Sequence, residues 1–158
     1  MNELSSLLDE LKLEEENIQF EHFNNRTAYE LGTAMTDEAY RRGLPIIIDI
    51  SKVEQRLFHH ALPGTSKDNE EWVQRKNRVV RHFLHSSFYM GTYYKLHNTD
   101  ILQKSGLDPA QYATHGGAFP IIVRNSGVVG TVTVSGLPQR EDHEFVVSML
   151  RRFLNMEL

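Results

Sequence analysis

The chain has 158 residues with no Cys, 40% hydrophobic and 24% charged residues and a net charge of -4. That is ordinary usage for one domain with a full core, and it leaves no room for disulfides, thiolate nucleophiles or Cys-based metal clusters. The acidic balance argues against a dedicated nucleic-acid binder. No stretch approaches the ~18 apolar residues of a membrane span. The acidic start MNELSSLLDELKLEEE lacks the basic and apolar regions of a signal peptide, so the expected location is the cytoplasm.

Leu4, Leu7, Leu8 and Leu11 recur at helical spacing, which predicts a short amphipathic helix over 2–14. IQFEHF (18–23) alternates apolar and polar residues and predicts a strand. Asn24 and Asn25 cap a helix over 26–42 that Gly43 closes. LPIIIDI (44–50) is a continuous β-branched run, the pattern of a central strand covered on both faces. VEQRLFHHAL (53–62) returns as its neighbour, ended by Pro63 and Gly64. A long helix follows over 67–97, with Gly91 as its point of interruption. After a looser section, FPIIVRN and VVGTVTVS flank Asn125-Ser126-Gly127, a turn suited to a bulged hairpin. The last helix begins near Arg140, with acidic residues in its first turn and Arg151 and Arg152 near its end, matching the helix dipole. The expected fold is one α+β domain over 1–158: a five-stranded, largely antiparallel sheet with helices on its faces.

Several residues invite chemistry. Lys76 falls four residues from both Trp72 and Val80, inside the apolar stripe of the long helix, where a charged head needs a partner or a wet cavity. It is read either as a pocket cation for a carboxylate or phosphate or as a packed stem with a snorkelling head. Arg75, Arg78, His82 and His85 share another face, read as a solvated or ion-paired surface rather than an anion stripe. His59 and His60 are adjacent on a strand and point to opposite sides, so only one can enter a pocket. His115-Gly116-Gly117 permits close backbone approach to a ligand. Ser135-Gly136-Leu137-Pro138 leads into the last helix with free N–H groups. Asp49 ends a central strand and is a candidate pocket carboxylate. Asp142 and His143 orient one another or cap the helix. A Ser135–His143–Asp142 triad is disfavoured, since no nucleophile elbow is present. No metal site is expected, and Walker A, GxGxxG, HExxH and EF-hand motifs are absent.

Three blocks together resemble the haem-degrading, HbpS-like domain superfamily, which includes GlcG-like proteins and the C-terminal domain of PduO-type corrinoid adenosyltransferases. They are the helix ending in RRG followed by LPIIIDI, the segment WVQRKNRVVRHFLHSS, and GGAFPIIV followed by GVVGTVTVSGLPQREDHEFVVSML. They span roughly residues 27–150. The SGLPQREDH segment is more similar to a cytosolic branch of conserved hypothetical proteins. The resemblance implies a three-layer fold, a Lys at the position of Lys76 and a Gly-rich wall at 116–117, with His115 as a departure. It also implies haem as a possible cofactor and assembly into homo-oligomers.

The first functional reading is therefore a small-molecule-binding protein whose site draws on Asp49, His59, His60, Lys76, His115, Gly116, Gly117, Ser135 and Gly136. Haem, another tetrapyrrole or a small organic anion is the candidate ligand. A non-enzymatic oligomeric adapter and a haem-degrading or Lys-dependent enzyme are the alternatives. No nucleic-acid or membrane partner is expected.

Overall fold

A computed structural model describes residues 2–156. The chain runs α1 (Glu3–Asn17), α2 (Asn25–Arg42), β1 (Ile47–Lys52), β2 (Gln55–Ala61), α3 (Lys67–Phe83), α4 (Ser87–Leu96), α5 (Ile101–Ser105), β3 (Ala118–Val123), β4 (Gly127–Ser135) and α6 (Gln139–Phe153). The strands form one antiparallel sheet in the order β2-β1-β4-β3.

The α+β class with an antiparallel sheet holds, but the sheet has four strands rather than five. Segment 18–23 contributes a single parallel bridge, Phe20 to Val123. Phe20 N–H donates to Ile122 O at 2.7 Å and Arg124 N–H donates to Phe20 O at 2.8 Å. The ladder stops there because Ile18 already caps α1 and Asn24 already caps α2.

The long helix is also two helices, and it breaks at residues 84–86 rather than at Gly91. Leu84 takes a left-handed conformation (φ 62°) and its N–H closes α3. The Ser86 hydroxyl then caps α4 by accepting from Tyr89 N–H at 3.0 Å. Buried Glu15 of α1 holds the break, accepting from Ser86 N–H at 3.0 Å and meeting His85 Nδ1 at 2.7 Å. Gly91 stays inside α4, where a side chain would strike the Thr114 carbonyl oxygen.

The sheet has two unlike faces. Ile46, Ile48, Ile50, Phe119, Ile121, Val132 and Val134 are fully buried in the main core with residues of α2 and α6. This core includes Leu31, Met35, Val146 and Met149. Alternate residues Asp49, Ser51, Thr131, Thr133 and Ser135 are equally buried but face the other way, toward α3. A strand run covered on both faces is thus apolar on one side and largely polar on the other. That polar, buried layer between sheet and α3 positions the site.

Candidate functional site

Helix α3 opens at Ser66, whose N–H donates to Asn69 Oδ1 at 2.9 Å. The helix aims Val73, Lys76, Asn77 and Val80 at the polar face of the sheet. Asn77 donates to Asp49 Oδ1 at 3.3 Å and accepts a hydrogen bond from the Thr133 hydroxyl. The adjacent Lys76 reaches the end of β4, where the chain turns into α6.

Lys76 is 2% exposed. Its Nζ donates to Val134 O at 3.0 Å and to Asp142 Oδ2 at 3.2 Å. An ammonium has three N–H groups, so one is left. Asp142, also 2% exposed, accepts from Leu137 N–H at 3.0 Å and Gly136 N–H at 3.4 Å as well. The Ser-Gly-Leu-Pro turn therefore spends its N–H groups on Asp142. Burial pushes the Lys76 pKa down, and the nearby Asp142 only partly opposes it. Burial likewise pushes Asp142 up, against Lys76 and the two N–H donors.

Above the pair lies a cavity of about 240 Å³. Asn69 and Trp72 of α3, His115, Ser135, Gly136 and Gln139 line it. His115 meets Trp72 edge-on at 4.8 Å between ring centroids, and the Arg75 guanidinium lies 4.5 Å over the same indole. Partial burial, then the positive charges of Lys76, Arg75 and Lys95, hold the His115 imidazole below its ordinary pKa. A neutral imidazole is thus set in a cationic neighbourhood, with Asp142 as the one carboxylate among the lining residues.

The glycines make room for this. Gly117 sits at φ 139°, and a Cβ there would meet Lys76 Nζ at 2.6 Å and overlap the Val134 carbonyl oxygen. A Cβ on Gly116 would strike the Gln139 carbonyl oxygen. Lys76, His115, Gly116, Gly117, Ser135 and Gly136 are therefore brought together.

The other three candidates lie elsewhere. Asp49 is fully buried and does not line the cavity. It accepts from Ser51 at 2.8 Å, Arg56 at 3.1 Å and His59 Nδ1 at 2.9 Å. His59 Nε2 in turn meets Glu70 of α3 at 2.9 Å. An imidazole facing carboxylates on both nitrogens donates from both, so it is the cation. His60 points to the opposite face, to Tyr40 Oη at 2.8 Å. His143 is turned away from Ser135, to Glu14 at 2.8 Å and against Phe88 and Phe119, so no triad forms. Arg75 and Arg78 anchor the 109–111 loop through the carbonyls of Pro109 and Gln111. No group of three or more metal-ligating side chains occurs among the described residues, and no helix there is long and apolar enough to cross a membrane.

Sequence reasoning missed the cavity roles of Asn69, Trp72, Gln139 and Asp142. Asp142 alone carried a signal: a turn rich in N–H groups followed by an acid in the first helical turn needs that acid as its acceptor.

The Asp49–His59–Glu70 network makes stability pH-dependent. The hydrogen bond to Asp49 raises the His59 pKa, burial opposes, and Glu70 adds to the rise. Burial raises Asp49, but hydrogen bonds from His59 and Ser51 and the charges of His59 and Arg56 outweigh it, leaving the carboxyl below its ordinary value. The His59 contribution is complete below an ordinary imidazole pKa of about 6.5 and is lost as pH rises through the raised value. The Asp49 contribution is complete above about 3.9 and is lost as pH falls through the lowered value. His59→Gln is expected to cost about 1.5–3 kcal/mol near pH 5. The gap to the parent protein should narrow on the alkaline side. Urea denaturation of both proteins across pH 4–9, with the cost unchanged throughout, would count against the charged bridge.

The α+β fold, with helices on both faces of one antiparallel sheet, is shared with known proteins. Residues 23–151 match the family described as haem degrading protein HbpS-like. The chain belongs to this family. It is 49% identical to a UPF0303 protein of Edwardsiella ictaluri, over 94% of this chain and 95% of that one. It superposes on the crystal structure of Ybr137w protein with a TM-score of 0.86 and 36% identity, covering 94% of this chain and 87% of that one. The haem complex of PduOC shares the fold, with a TM-score of 0.68 at 14% identity over 85% and 96% of the two chains.

Proposed function

We propose that the protein binds a small organic anion, a carboxylate or phosphate, in the cavity above Lys76. The buried Lys76 ammonium carries this reading, because it sits on the cavity floor with one N–H group left over. A cation held in a dry site binds an anion more strongly than the same charge in water. Arg75 and Lys95 add to the positive potential, and the neutral His115 in the lining offers a donor or acceptor.

Haem, the ligand of the PduOC crystal, fits this cavity poorly. The volume of about 240 Å³ is below the roughly 300–1,000 Å³ of pockets that enclose drug-sized ligands. Its floor is an ion pair rather than an apolar shelf, and His115 is the one imidazole lining it. The dimensions favour a small anion over a porphyrin.

The test is thermal denaturation with acetate, lactate and inorganic phosphate, in the parent protein and in Lys76→Met. A ligand at about 100 times its Kd adds about 2.7 kcal/mol, which raises Tm by roughly 5–10 °C for a domain of this size. The rise should appear in the parent and vanish in the variant. No rise with any of the three, or an equal rise in Lys76→Met, overturns the reading.

A further inference from the structure

We propose that Lys76 captures carbonyl compounds, condensing as an imine with a small 2-oxo acid held in the cavity while Asp142 moves the proton. This rests on the anion-binding reading, since the charged Lys76 draws the carboxylate of the 2-oxo acid into the cavity before the proton shift to Asp142 frees the amine.

The geometry supplies the parts. Lys76 Nζ lies 3.2 Å from Asp142 Oδ2, and both side chains are almost wholly removed from water. One proton transferred across that hydrogen bond turns ammonium and carboxylate into amine and carboxylic acid, a nucleophile beside a proton donor. A dry site favours the uncharged pair, and burial acts on both groups in that direction. Asp142 of α6 faces the amine, and His115, on the turn before β3, lies near enough to feel its charge. Lys76 and Asp142 both line the cavity. Gly117 is glycine because its φ of 139° and the Val134 carbonyl oxygen exclude a Cβ, and the amine packs into the space this leaves.

The Lys76 nitrogen lone pair attacks the carbonyl carbon as the carbonyl oxygen takes the Asp142 proton, giving a carbinolamine. The nitrogen returns a proton to Asp142. Asp142 then protonates the hydroxyl, which leaves as water as the C=N bond forms. The sum is one amine, one carbonyl and one carboxylic acid going to iminium, carboxylate and water, with no oxidant or reductant. The iminium inherits the ion pair with Asp142.

The experiment is pyruvate with sodium cyanoborohydride at pH 7, read by intact mass and peptide mapping. Lys76 is expected to be alkylated at least about tenfold faster than exposed Lys12 and Lys67, because Asp142 beside it supplies and returns the proton as a general acid–base group. Asp142→Asn should slow the Lys76 adduct by a similar factor and leave the surface lysines unchanged. If that variant fails to fold by circular dichroism, the ratio of Lys76 to surface labelling in the parent protein decides. Labelling at Lys76 no faster than at Lys12 and Lys67 overturns carbonyl capture, even where acetate still raises Tm. Loss of both the acetate effect and the selective adduct removes the anion-binding reading with it.

Discussion

Asp142→Ala is expected to destabilise the protein by about 3–5 kcal/mol, the cost of breaking a buried ion pair by removing one partner. The variant strands Lys76 with only the Val134 carbonyl, and it also leaves Gly136 and Leu137 N–H without their acceptor. Lys76→Met should cost less. Asp142 then keeps its two N–H donors, and the methionine fills the channel of the lost stem. The double variant Lys76→Met/Asp142→Leu is expected between Asp142→Ala and the parent, because it removes the stranded ammonium but still leaves the Gly136 and Leu137 N–H groups without an acceptor. Burial holds Lys76 below and Asp142 above its ordinary pKa, so the pair is maintained at an energetic disadvantage. Urea denaturation of the three variants checks this ordering. Equal losses for the two single variants would show that Asp142 matters only as a turn cap or not at all.

Gly117→Ala is the second large effect. The residue sits at φ 139°, and its new methyl would overlap the Val134 carbonyl oxygen and press on Lys76 Nζ at 2.6 Å. Backbone strain and overpacking together come to about 2–6 kcal/mol. The lysine head must leave its place, so the Tm response to a bound anion should disappear with it. Gly127→Ala is the control. That glycine has φ 96° but nothing within 4 Å of an added Cβ, so it costs backbone strain alone and keeps the response. Thermal denaturation with and without ligand separates the two. An intact ligand response in Gly117→Ala would mean that the cavity floor is not where the anion sits.

Much of this was readable along the chain. The β-branched runs, the Asn-Ser-Gly turn and the apolar stripe of α6 are local patterns, and the strands and helix they imply are present. So is the anomaly of Lys76, because a charge inside a helical apolar stripe shows in the spacing alone. Other features depended on distant partners. Segment 18–23 has strand periodicity, yet the helices on either side cap themselves on Ile18 and Asn24 and leave room for one bridge. The break at 84–86 was visible only as Ser86, an ordinary N-cap residue. What holds it open is Glu15, distant in sequence and brought there by the packing of α1 on α4.

Local order thus settled most of the helices and the four strands, which faces are apolar, and that Lys76 needed company. It could not settle what that company was. Asp49 and His59 looked like pocket residues, but the antiparallel register pairs them with each other beneath α3. Asp142 looked like a cap, but the crossing from β4 into α6 sets it against Lys76. The reason is physical. Periodicity is written within a single element, whereas a buried charge is satisfied by whichever group another element delivers to within hydrogen-bonding distance, and only the folded chain determines which one that is.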